Sequence, residues 1–162
     1  MFQKMIVGYD GSEGSRSALE KAIIILQLYQ NAKLLIAYVN EDVVGEEIAY
    51  SGQPLGSAPI LDDMTTIPRV PTDPESPRHF ARDYAVQMSD SIQAQLDEHL
   101  VSGDIVAIDG HPTKALAELA EREQADAIIV GNSGKSSFQK FFVGSVSEKL
   151  VKESPCSVLV VK

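Results

Sequence analysis

Gly134-Lys135-Ser136 follows closely on the apolar run Ala127-Ile128-Ile129-Val130, and a Gly-Lys-Ser triplet just past a buried strand is the kind of chemistry that binds phosphate. A nucleotide-hydrolysing P-loop needs a further glycine upstream, at the spacing G-x-x-x-x-G-K, so that a wide loop of backbone N–H groups wraps the phosphates. That position here is Ile129, inside the apolar run, so the P-loop pattern is broken. The glycines must serve another geometry. Gly131 and Gly134 let the chain turn out of a strand and bring bare backbone close to a sugar or phosphate, where a Cβ would intrude. Gly144-Ser145-Val146, further on, presents N–H groups and a hydroxyl at the positive end of a helix dipole. Together these form an anion cradle, to which Lys135 and Lys140 in the intervening loop add charge. A second informative stretch, Gly8-Tyr9-Asp10-Gly11-Ser12, closes another apolar run. Each feature also has a plainer reading. Asp10 suits a turn or cap, the two glycines suit a simple strand exit, and surface lysines are commonly just solvated.

Bringing these groups together requires strands that end at one edge. Met5 to Tyr9 reads as a first strand, and Ala18, Leu19, Ala22, Ile23 and Leu26 follow at helical spacing, with Ser12 or Ser15 as the N-cap. Leu34 to Val39 is apolar nearly throughout, as a strand covered on both faces would be. From about 41 to 77 glycines and prolines break every period; this is a long surface insertion, with a short helical piece expected near 60–65. Ala81, Tyr84, Ala85, Met88, Ile92, Leu96 and Leu100 then form a helical stripe that Gly103 ends. Ile105 to Ile108 is a third strand, and His111-Pro112 opens a helix that turns Ala115, Leu116, Leu119 and Ala120 inward. Ala127 to Val130 is the fourth strand. Val146, Leu150 and Val151 mark a short helix, Pro155 breaks it, and Ser157 to Val161 is a fifth strand. Alternating strands and helices, with strands apolar on both faces, predict a doubly wound α/β domain with a parallel sheet between two helical layers.

Composition narrows the partners. The chain has 162 residues, enough for one well-buried core, and a net charge of −9 that opposes nucleic acid and anionic membrane surfaces. No run approaches the roughly 18 apolar residues of a membrane span, so no membrane insertion is expected. The single cysteine, Cys156, allows no internal disulfide and is expected as a small buried residue at a strand edge; a reducing, cytoplasmic setting fits. His79, His99 and His111 have no partners at ligand spacing, so neither a metal site nor a catalytic residue is nominated.

The spacing Gly131-x2-Gly134-x9-Gly144-Ser145, with Asp10 after the first strand and the closing Pro155-Cys156-Ser157-Val158-Leu159-Val160-Val161, resembles the ATP-binding subgroup of the universal stress protein family. The resemblance covers the chain apart from the insertion. It implies a single Rossmann-like domain over 1–162 whose five-stranded parallel sheet runs in the order 3-2-1-4-5. It further implies that Asp10, in one turn with Gly11 and Ser12, and the backbone near Tyr9 and Val39 frame adenine and ribose. Val130, Gly131 and Gly134, with Lys135 beside them, would line the ribose and α-phosphate, and Gly144, Ser145 and Val146 would hold the β- and γ-phosphates. The implied ligand is ATP or AMP, with Mg²⁺ or Mn²⁺ carried on the phosphates. Asn132-Ser133 departs from the family's usual small and basic pair. The family also implies a homodimer through the C-terminal strand, which would otherwise leave an open apolar edge.

No group beside the glycine loop is suited to position water or offset leaving-group charge, so binding or sensing outranks turnover. Two alternatives remain open, a slow ATP hydrolase and a dimeric module that binds an unknown protein through the insertion without any nucleotide. An adenine-nucleotide α-hydrolase ranks lower, because Tyr9-Asp10-Gly11-Ser12-Glu13-Gly14-Ser15 lacks the Ser-Gly-Gly-x-Asp-Ser loop of those enzymes.

Overall fold

A computed structural model describes residues 2–29, 31–40, 77–132 and 144–162. The insertion over 41–76, including the helical piece expected near 60–65, and the segment 133–143 with Gly134, Lys135 and Lys140 lie outside the described residues. The elements run β1 (Lys4–Tyr9), α1 (Glu13–Leu28), β2 (Lys33–Asn40), α2 (Pro77–Glu98), β3 (Asp104–Asp109), α3 (Pro112–Glu123), β4 (Ala127–Gly131), α4 (Ser145–Glu153) and β5 (Ser157–Val161). All five strands are parallel, in the order β3-β2-β1-β4-β5. This is the expected doubly wound, Rossmann-like α/β architecture.

The order fixes which helix covers which face. The chain steps outward from β1 to β2 to β3, then crosses back to β4 and steps outward again to β5. Right-handed crossovers therefore put α1 and α2 on one face and α3 and α4 on the other. Strand pleating sorts the core accordingly. Met5, Val7 and Tyr9 of β1 pack with Leu19 and Ile23 of α1 and Ile92 and Leu96 of α2. Ile6 of β1 and Ile128 and Val130 of β4 pack with Leu116 and Leu119 of α3 and Leu150 of α4.

Ser12, rather than Ser15, caps α1, accepting the Ser15 N–H at 3.2 Å while the Ser15 hydroxyl donates to the Ser12 carbonyl at 3.0 Å. Three expected core positions are corrected. Leu100 lies beyond α2 with φ of 54° and 93% exposure, because Val101 N–H turns back to the Leu96 carbonyl and ends the helix before Leu100 can join the stripe. Val151 is exposed, since α4 covers the sheet through Val146, Ser147 and Leu150 and Val151 falls on the next face round. Cys156 is half-buried, held beside Ser154, whose hydroxyl oxygen accepts the Cys156 N–H at 3.3 Å.

Candidate functional site

In an open parallel sheet, ligands settle at the carboxyl ends of the strands where strand order reverses. Here that point lies between β1 and β4, the strands from which the chain leaves in opposite directions. The turn after β1 carries the first expected group. Asp10 is half-buried, and its Oδ1 accepts the Ser12 N–H at 3.0 Å, so the carboxylate organises its own turn. Gly11 has φ of 77°, a left-handed conformation suited to glycine, and a Cβ there would stand 3.0 Å from Met88 Cε of α2. The Tyr9 side chain is not part of the crevice. It points into the α1/α2 layer, where its hydroxyl and Ser91 Oγ share a hydrogen bond of 2.8 Å, so Tyr9 faces the crevice with backbone only. Tyr9 pairs with Tyr38, so Asp10 follows on beside Val39 at the end of β2.

The end of β4 supplies the second group. Val130 is buried against the α3/α4 layer. Gly131 faces the other way, and a Cβ on it would meet the backbone of Gly14 in α1, 2.5 Å from its carbonyl carbon and 2.7 Å from its oxygen. The fold itself demands glycine at 131, because the first turn of α1 rests on β4 at backbone distance. Gly14 has no place among the residues expected from the sequence. The signal for it is a helix-disfavoured residue in the first turn of a helix.

Beyond Gly131, Asn132 N–H donates to the Val161 carbonyl at 2.7 Å, and the Asn132 carbonyl accepts the Gly144 N–H. This bond sets the start of α4 directly at the end of β4. Gly144 is the N-cap, with no side chain to satisfy the helix end. Its carbonyl accepts the Glu148 N–H at 2.9 Å and the Ser147 hydroxyl at 2.9 Å. The Gly144 N–H is thus taken up by Asn132, while Ser145 and Val146 hold the first helical positions, whose N–H groups have no intrahelical acceptor. Of the expected residues, the structure brings Asp10, Gly11, Ser12, Val130, Gly131, Gly144, Ser145 and Val146 to one end of the sheet, with Val39 alongside.

The opposite end has different chemistry. A half-open cavity of about 530 Å³ is lined there by Phe2, Lys4, Tyr29, Lys33, Glu123 and Asp126, among others. It lies at the amino ends of the strands, away from the crevice. The Asp126 Oδ2 accepts the N–H groups of Lys4 at 2.8 Å and Gln3 at 2.7 Å, and these two bonds, Lys4's first, hold its carboxyl below the ordinary value of 3.8. Lys4 Nζ donates to the Glu123 carbonyl at 2.8 Å and pairs with its carboxylate at 3.1 Å. Among the described residues no three His, Cys, Asp or Glu converge as a metal site. The crevice is equipped to hold an anion by backbone donors and to accept hydrogen bonds at Asp10.

Comparison with known proteins gives the context for this geometry. Residues 1–162 match the model of the universal stress protein family. The stress response protein NhaX of Bacillus subtilis is 31% identical, the alignment covering 98% of this chain and 97% of NhaX. A universal stress protein solved in complex with cAMP superposes with a TM-score of 0.63 at 23% identity, covering 99% of this chain and 97% of that one. An Arabidopsis thaliana universal stress family protein with AMP bound gives 0.58 at 17% identity, covering 99% and 91%.

Proposed function

The chain belongs to the universal stress protein family, and from that premise we propose that it binds an adenine nucleotide, ATP or AMP, as a dimeric cytoplasmic sensor or regulator in stress response. The observation that carries this reading is the Asn132–Gly144 bond, which fixes the uncapped start of α4 across the order-reversal crevice from the Asp10 turn. Ser145 and Val146 N–H groups bind phosphate oxygens there, helped by the helix dipole. Asp10, whose ionised carboxylate can only accept, takes a hydrogen bond from a ribose hydroxyl or the adenine amino group. Val39 and the Tyr9 backbone flank the base, Gly11 and Ser12 complete the turn beside it, and Val130 and Gly131 lie under the ribose and α-phosphate. Gly134 and Lys135 belong to the same reading as loop contacts to the phosphates. Mg²⁺ or Mn²⁺, where present, is held chiefly by the phosphates. Members of the family crystallised with cAMP and with AMP support the ligand class.

The reading treats residues 1–162 as one domain with an insertion at 41–77, and the dimer as formed through β5. Support for the dimer comes from β5 itself, which among the described residues pairs with β4 alone and leaves Leu159 exposed at the sheet edge. Removing the residues after Pro155 converts dimer to monomer or aggregate by light scattering; an unchanged dimer mass contradicts that interface. The ligand is tested by purifying the protein without added nucleotide, denaturing it, and identifying released small molecules by mass spectrometry. Near-stoichiometric adenine nucleotide is expected. A protein that releases none and ignores added millimolar ATP refutes the reading and favours a protein-interaction module.

A further inference from the structure

We propose that Thr113 is a ligand-binding residue of the same crevice, its hydroxyl hydrogen-bonding the nucleoside end of the bound adenine nucleotide. The proposal rests on the nucleotide-binding reading above. Thr113 is 3% exposed, and its Oγ1 is buried without a hydrogen-bond partner among the described residues. Thr113 is the second residue of α3, so no earlier turn of the helix offers its hydroxyl a carbonyl, and a buried hydroxyl left unpaired is costly enough to require a reason.

Position supplies the reason. α3 connects the carboxyl end of β3 to the amino end of β4, so it runs against the strands and begins at the ligand end of the sheet. Thr113 and Leu116 share the inward face of α3, and Leu116 Cδ1 lies 3.0 Å from where a Cβ on Gly8 would be. One helical step nearer the amino end, Thr113 stands above Gly8, at the level of Tyr9 and Asp10. Just ahead of it, Gly110 has φ of 99°, a Cβ there would meet no described residue within 4 Å, and His111 caps α3 without a side-chain hydrogen bond. α3 and α4 pack side by side, so two helix starts flank the crevice on one face. α4 sits at the end of β4, the phosphate side. α3 packs against β2, β3 and β4, and its start follows β3, so Thr113 begins the helix on the β3–β2 side of the sheet, the side of Asp10 and Val39, where the nucleoside is assigned.

The test measures ATP and AMP affinity by calorimetry for the full chain, Thr113→Val and Thr113→Ser, together with thermal melts of the nucleotide-free proteins. Valine keeps the shape and removes the hydroxyl. Thr113→Val is expected to melt no lower than the parent without nucleotide, yet to bind ATP and AMP about tenfold more weakly, the scale of one hydrogen bond lost with its partner left unpaired. Thr113→Ser is expected to retain binding. Unchanged affinity in Thr113→Val overturns the proposal, and a lowered melting temperature with normal affinity assigns the hydroxyl to an internal water instead. A loss seen with ATP and not AMP overturns the nucleoside assignment. A parent protein that binds neither nucleotide brings down the nucleotide reading and Thr113 with it, an outcome distinct from parent and variant binding equally.

Discussion

The two ends of the sheet are built from the same strands and finished in opposite ways. At the amino end the polar groups are paired within the protein, with Asp126 accepting two backbone N–H groups and Lys4 held by the carbonyl and carboxylate of Glu123. At the carboxyl end the chain turns left-handed at Gly11 and Gly110, and among the described residues α4 starts without a side-chain cap and the Thr113 hydroxyl has no hydrogen-bond partner. Parallel strands give both ends the same raw material. The difference lies in the connections, since the described segments entering β1 and β4 are tied to one another through Asp126, while the described turn after β1 carries its own Asp10–Ser12 bond beside the start of α4. One end is closed by pairing within the protein, and the other is the end to which the proposed ligand is assigned.

Substitutions that stress this division should separate stability from binding. The largest effect is expected at Gly131, where the first turn of α1 rests on the end of β4. Gly131→Ala drives a Cβ into the Gly14 backbone, which cannot rotate away as a side chain would. It should cost about 3 kcal/mol in urea unfolding, the upper range for overpacking. A cost under about 0.5 kcal/mol would mean that α1 does not rest on β4 so closely. Tyr9→Phe comes next, removing the hydrogen bond to Ser91 and costing about 1 kcal/mol, with nucleotide affinity retained because the ring faces away from the crevice. A loss of affinity larger than the loss of stability would place the ring in the site.

The smallest effect belongs to the amino end and shows itself in pH. The Asp126 carboxyl is held below 3.8 in the folded state, so between the folded and unfolded values the unfolded chain binds more protons. Its contribution is complete above the unfolded value and disappears as pH falls through the folded one. Asp126→Asn should therefore flatten the acid limb of a stability–pH profile without altering nucleotide affinity at neutral pH. An acid limb identical to the parent's would show that the two backbone bonds do not shift this group.

Much of the fold is legible in the sequence, and the departures have physical causes. Strand and helix alternation, the apolar runs of β1, β2 and β4, and the Asp10 and Gly144 ends can be read because periodicity and turn chemistry are local. Leu100 fits the helical stripe by spacing, yet the stripe continues past the point where the backbone turns left-handed. Val151 fits because a short helix buries so few positions that one apolar residue too many still matches the pattern. The packing role of Gly131 is hidden, since its nearest neighbour, Gly14, is remote in sequence and adjacent only once α1 lies on β4. The use of the Gly144 N–H by Asn132 and the isolation of the Thr113 hydroxyl are properties of assembled space. No window of residues encodes them.

The most direct test of the central claim is a calorimetric titration of the protein and of Ser145→Pro with ATP. Proline suits the first position of α4, and Gly144, at φ of −61° and ψ of 154°, already has the extended conformation that a following proline requires. The substitution therefore keeps the fold and deletes the Ser145 N–H and hydroxyl, both assigned to the phosphates in the proposed reading. The parent is expected to bind ATP, and Ser145→Pro, at unchanged melting temperature, to bind it about tenfold or more weakly, as befits lost hydrogen bonds to a charged group. Equal affinity for the two proteins would contradict that claim.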